Sequence, residues 1–160
     1  MEELSSKVEK TIRNHTALAM GAAIVPVPVA DVVAISAIEL DMLRAISKIY
    51  GKDLRDDLGK QIIGIAVAAT VGGGIWGAIL KLIPGIGSAA GGAIQMTVAG
   101  TICYALGYAY KSYVESDGVF DPEKFKAEMI YNMKSAKETV KKMKNEMKKK
   151  GAPPKEPQAT

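Results

Sequence analysis

The chain has 160 residues, the size of one domain with tails, and 21 Lys+Arg against 17 Asp+Glu give a net charge of +4. A single cysteine, Cys103, excludes a disulfide framework and a cysteine-cluster metal site, while a single histidine, His15, leaves histidine triads and multi-histidine zinc sites without parts. Lys81 is the only charge in the 50 positions from Gln61 to Tyr110, so the mean hydropathy of +0.09 averages an apolar middle with polar ends, which excludes a uniformly disordered chain.

In chain order, Leu4, Val8 and Ile12 recur every four residues and mark the apolar face of a first helix. Its first fifteen residues mix charges and show no secretory signal. Thr16 to Ala30 is uncharged, and Pro26 and Pro28 end the helix, because each lacks a backbone donor and pushes its predecessor out of the helical region. A second helix is expected from near Pro28 to Tyr50. Asp31 lies in its first turn and Gly51 is placed to stop it. A third begins in KDLRDDLGK and runs to Leu82. Pro84 to Ser88 form a turn, with Ser88 as N-cap of a fourth helix reaching about Val114. Asp121, Pro122 and Glu123 read as N-cap, N1 and acidic first turn of a fifth, ending near Gly151. No period-two alternation appears. The expected fold is all-α, with two apolar hairpins turning at prolines and a basic amphipathic C-terminal helix. The expected organisation is a membrane-associated hairpin domain over 1–116, the basic helix over 117–150 and a disordered tail over 151–160.

Residues 61–80 and 82–110 are uncharged for twenty and twenty-nine positions, long enough to match a hydrocarbon core of roughly 30 Å. Lys60 and Lys111 bound the open ends, Trp76 and Lys81 lie near the turn, and Tyr104, Tyr108, Tyr110 and Tyr113 could serve as an interfacial belt. Small residues recur at one-turn spacing in Gly64, Ala68 and Gly72, in Gly73 and Gly77, and in Ala99, Cys103 and Gly107. Such stripes let helices approach closely, in lipid, in a tight soluble bundle or in a homo-oligomer. Asp31 and Lys81, one near each proline turn, could pair if the turns meet.

In the last helix, Met129, Met133, Ala136, Val140, Met143 and Met147 form a heptad-like stripe. Residues 134–150 hold eight lysines and two glutamates, net +6, so the rest of the chain sums to −2. Lys134, Lys137, Lys141, Lys142, Lys144 and Lys148 are the candidates for contact with an anionic membrane surface or a partner. A solvated helix docked on its own domain by the methionine stripe is the simplest alternative. Base readout lacks its usual tools, since the helix has no arginine and only Tyr131 to stack.

The run Ile24-Val25-Pro26-Val27-Pro28-Val29-Ala30-Asp31, the stretch from Leu40 to Gly51, and Leu80-Lys81-Leu82-Ile83-Pro84-Gly85-Ile86-Gly87-Ser88 together resemble the YcjF-type domain of unknown function. That domain occurs in bacterial inner-membrane proteins and as a C-terminal appendage of Era-like GTPases. The resemblance covers about residues 10 to 130. It implies a helical, membrane-associated module at the inner membrane or its cytoplasmic face, working beside a GTPase; no G-domain motif occurs in this sequence, which leaves action in trans as an open alternative. It supplies no catalytic residues to carry over.

Gly59-Lys60 is followed by Gln61, so no phosphate-binding loop exists, and Gly72 to Gly74 follow a helix instead of a strand. Asp53, Asp56 and Asp57 are spread around a helix start and read as its acidic first turn. No catalytic residue, cofactor or metal is expected, and the chain is read as a non-enzyme. The expected function is a membrane-associated module that binds lipid, self-associates and anchors or scaffolds a partner. The alternatives are a soluble, cytoplasmic homo-oligomer with the apolar hairpins at its centre, or a pore lined by Thr70, Gln95, Thr97 and Thr101.

Overall fold

The computed structural model describes residues 2–23, 28–71 and 91–150. Among them are five helices and no strand: α1 (Glu2–Ala22), α2 (Pro28–Ile49), α3 (Asp56–Val71), α4 (Gly91–Ser116) and α5 (Pro122–Lys149). The fold is all-α.

The punctuation follows local chemistry. Gly51 adopts φ +66, a left-handed conformation that glycine takes without a side-chain clash, and it closes α2 where expected. Asp121 caps α5: its Oδ1 accepts from the amides of Glu123 (3.0 Å) and Lys124 (3.2 Å), with Pro122 opening the helix behind it. The expected continuation of the third helix to Leu82, the turn at Pro84 and the Ser88 cap lie outside the described residues, as does the 151–160 tail.

Contacts fix the helix directions. Gly107 of α4 faces Ile12 of α1 and Met42 of α2, while Gly100, two turns earlier, faces Met20 of α1 and Val140 of α5. Hence α1 and α5 run antiparallel to α4. Pairing of Met42 with Cys103, Ser47 with Tyr110 and Tyr50 with Glu115 makes α2 parallel to α4. The short 50–55 connection folds α3 back along α2, as short links do in helical bundles.

The central helix α4 is surrounded, and this accounts for the missing charge in its half of the sequence. Met96, Val98, Ala99, Ile102, Cys103, Ala105, Leu106, Ala109 and Tyr110 are all buried, and with buried Gly100, Thr101 and Gly107 they leave only a strip through Thr97, Tyr104, Tyr108 and Lys111 partly exposed along this stretch. A helix apolar all round needs such burial, and protein supplies it here. No helix of the described residues is long and apolar enough to cross a membrane. The tyrosines expected in an interfacial belt instead face protein: Tyr110 lies in the core, Tyr104 stacks on Tyr108 at 4.6 Å, and Tyr113 meets Phe120 edge-on at 5.4 Å.

Two apolar layers result. The larger joins Val8, Ile12, Met42, Leu43, Ile46, Ile62, Leu106, Phe125, Met129 and Met133. The smaller, Met20, Met96, Val140 and Met143, lies toward the end where α1 stops and α4 starts. The methionine stripe of α5 is therefore spent inside the chain. Leu4, expected on the apolar face of α1, remains 39% exposed at the helix start.

Candidate functional site

The helix directions sort the molecule into two unlike ends. At one, α1 stops at Ala22, α2 begins at Pro28, α4 begins at Gly91 and α5 reaches Lys149. The antiparallel course of α3 carries Val71 toward this same end. The described residues on either side of the uncharged sequence around Pro26, and those on either side of residues 72–90, thus lie where the lysine-rich half of α5 lies. Leu18 and Val33, large apolar residues left 57% and 66% exposed, flank this end on α1 and α2. Lys134, Lys141, Lys142 and Lys148 are exposed, and Lys137 and Lys144 are half-buried along the edge of the α5 seam. Burial, reinforced by the neighbouring Lys148, pushes the Lys144 ammonium below its ordinary value.

The opposite end is held by polar staples. Tyr50 donates to Glu115 at 2.6 Å, and burial followed by that carboxylate pushes its phenol upward. Lys52 bonds the Val114 carbonyl at 2.8 Å and pairs with Asp117. Lys111 donates to Ser5 at 2.9 Å beside Glu9 at 3.7 Å and tethers the start of α1. His15 links α1 to α2, with Nδ1 2.8 Å from the Thr11 carbonyl and Nε2 3.1 Å from Asp41. An open cleft of about 180 Å³ lies beside this end, lined by Ser112, Tyr113, Phe120, Lys124, Phe125 and Glu128.

Ser47 and Tyr110 form a buried pair of unequal dependence. The Ser47 hydroxyl donates to the Leu43 carbonyl at 2.9 Å, so the Tyr110 hydroxyl donates in the 2.6 Å bond between them. Tyr110→Phe leaves Ser47 bonded and should cost about 1 kcal/mol or less. Ser47→Ala strands a phenol that is only 2% exposed and should cost about 1–3 kcal/mol. Urea denaturation of both variants checks the order, and equal losses would contradict it.

Sequence reasoning missed a carboxyl buried inside the fold. Glu39 of α2 is 2% exposed, and its Oε1 has no hydrogen-bond partner. Burial pushes its carboxyl up to about 8. It faces Cys103, whose thiol is raised chiefly by burial and then by the Glu39 charge, with Thr16 acting in the other direction. The Thr16 hydroxyl is likewise buried without a hydrogen bond of normal geometry. The only hint in the sequence was a carboxylate between Ile38 and Leu40, where the helical spacing placed the inward face.

The candidate stripes fall in different settings. Ala99, Cys103 and Gly107 are buried within one chain, where a Cβ on Gly107 would sit 2.9 Å from Ile12 Cγ1; in this fold they pack helices and present no surface to another copy. Gly64 and Ala68 are exposed on α3, and nothing lies within 4 Å of a Cβ built on Gly64. Gly72, Gly73 and Gly77 lie outside the described residues, as does Lys81 and with it the pairing expected with Asp31. Of the proposed pore lining, Thr101 is 4% exposed and donates to the Thr97 carbonyl at 2.7 Å, so it is satisfied inside the bundle. Among the described residues, no three His, Cys, Asp or Glu side chains converge as a metal site.

These observations define the class of protein: an antiparallel all-α bundle with one lysine-rich end and one cross-linked end. The chain belongs to the DUF697 family, a domain of unknown function, which matches residues 1–138 and agrees with the YcjF-type resemblance. It is 36% identical over 114 residues to magnetosome membrane protein 22 of Magnetospirillum gryphiswaldense, an alignment covering 69% of this chain and 58% of that protein. The alignment therefore covers less than two thirds of that relative. No solved structure matches the chain.

Proposed function

We propose that this chain is a non-enzymatic, membrane-associated helical module, working at a bacterial-type inner membrane or its cytoplasmic face. The observation that carries this reading is convergence: Ala22 and Pro28, which flank the uncharged sequence around Pro26, and Val71 and Gly91, which flank a stretch whose one charge is Lys81, all lie at the same end of the bundle. A polar-stapled bundle whose other end carries the exposed side chains of Leu18 and Val33 beside a lysine-rich helix is suited to resting on lipid, since the free energy of insertion grows with the apolar area removed from water. The membrane-protein name of the relative supports the reading. Fractionation of cells expressing the full chain tests it. Recovery in the membrane pellet, retained in high salt, is expected; quantitative recovery in the soluble fraction would reject it.

Self-association belongs to the same reading, because the open Gly64 and Ala68 face of α3 is flat enough for a second helix to approach. The module would then hold a partner, such as a GTPase in trans, at the membrane. Mass photometry of detergent-free protein should show a discrete oligomer that Gly64→Leu disperses. A monomer in both samples would remove self-association while leaving the membrane reading intact. A discrete oligomer without any membrane fraction would favour a soluble scaffold.

A further inference from the structure

We propose that one flank of α5 is a headgroup-binding face for an anionic lipid bilayer, and that it sets the orientation in which the bundle meets the membrane. The inference rests on the membrane reading above and adds its lipid class and docking geometry. At about 100° per residue, Lys144, Lys137, Lys148, Lys141 and Lys134 fall in that order within an arc of about 80°, immediately beside the buried methionine stripe. No acidic residue of this helix half shares the arc: Glu138 lies beyond its outer edge and Glu146 on the opposite flank. Among the described residues, no ion pair joins Lys134, Lys137, Lys141 or Lys148 to a carboxylate. Like charges crowded at one-turn spacing repel, so the free protein carries a cost that phosphate groups would relieve.

The occupant follows from charge and placement together. Residues 134–150 carry +6 while the rest of the chain sums to −2, so an anionic surface is attracted to one side of the molecule. The antiparallel course of α5 brings that charge to the end where α1 stops, α2 begins and the large apolar side chains of Leu18 and Val33 are exposed. Half-buried Lys137 and Lys144 lie at the seam with their stems against the bundle, from which long lysine side chains reach outward to headgroup level. Tyr131, the helix's only tyrosine, falls about 60° outside the arc, so the lysine face has no platform on which a nucleobase could stack.

The test uses the full chain in co-sedimentation with vesicles of phosphatidylcholine alone and of phosphatidylcholine mixed with phosphatidylglycerol. Wild type should prefer the anionic vesicles, and added salt should erode the preference. The triple variant Lys137→Gln, Lys141→Gln, Lys148→Gln should lose on the order of a hundredfold in partitioning to anionic vesicles, given the attraction of each lysine near such a surface. A control removing equal charge elsewhere, Lys10→Gln, Lys48→Gln, Lys124→Gln, should keep most of the binding, and circular dichroism should show both variants folded. Equal losses in the two variants would mean that net charge alone acts, and would overturn the proposal. Equal binding of wild type and arc variant to both vesicles would overturn it while leaving membrane association standing. Binding to neither vesicle would overturn both readings. Binding to duplex DNA or RNA that the arc variant loses, without vesicle binding, would assign the face to nucleic acid and overturn the proposal.

Discussion

Glu39→Gln will stabilise the protein at neutral and mildly alkaline pH and cost about 1 kcal/mol at acid pH, where only the buried amide differs. The carboxyl is buried, its Oε1 is unpartnered, and it holds its proton up to about pH 8 in the fold against an ordinary value of 4.5. Between those values the unfolded chain has released a proton that the native state retains. Raising the pH therefore favours unfolding, by about 1.4 kcal/mol per unit. Below 4.5 both states are protonated and above 8 both are ionised, so the slope vanishes on either side. At neutral pH the accumulated cost is on the order of 3 kcal/mol. Glutamine removes it but brings a buried amide with unfilled hydrogen bonds, which returns about 1 kcal/mol. A net gain of about 2 kcal/mol is expected near pH 7. Urea titrations of both proteins across pH 5 to about 8 will show curves that diverge as the pH rises. Parallel curves would mean that Glu39 is ionised and paired, contrary to its environment here.

Gly107→Val should destabilise the fold by about 3 kcal/mol. A Cβ at this position would lie 2.9 and 3.0 Å from the two γ-carbons of Ile12 and 3.1 Å from Met42 Sδ. Isoleucine is stiff at χ1 and cannot swing aside, and valine adds two further carbons to a site closed by both α1 and α2. Either helix must move, and both belong to the main core. Gly64→Ala provides the contrast, because that position is open and alanine is the better helix former, so a gain of up to about 1 kcal/mol is expected. Thermal melts of the two variants will move in opposite directions. A Gly107→Val protein as stable as wild type would show that α1 does not lie this close to α4.

The relation between sequence and fold is plainest in particular elements. Asp121-Pro122 announced the start of α5 because capping is settled by the residues beside it, and Gly51 announced the end of α2 for the same reason. The Val8 and Ile12 repeat marked the inner face of α1 because helical spacing alone decides which side chains share a side. The uncharged run through α4 was legible as a demand for cover, but a protein core and a lipid core ask for the same residues. From Met96 to Tyr110 it is largely covered by neighbouring helices.

The sequence by itself determined the all-α class, the helix limits set by local caps, and a sharp separation of apolar from basic segments. Only the tertiary structure decided that Glu39 would lose its water, that Gly107 would lie under Ile12, and that the lysines of α5 would share an end with the close of α1 and the start of α2. Periodicity and caps act within a few residues of one another, whereas burial and the meeting of charges depend on which helices become neighbours. That is settled by close packing of the whole bundle at once.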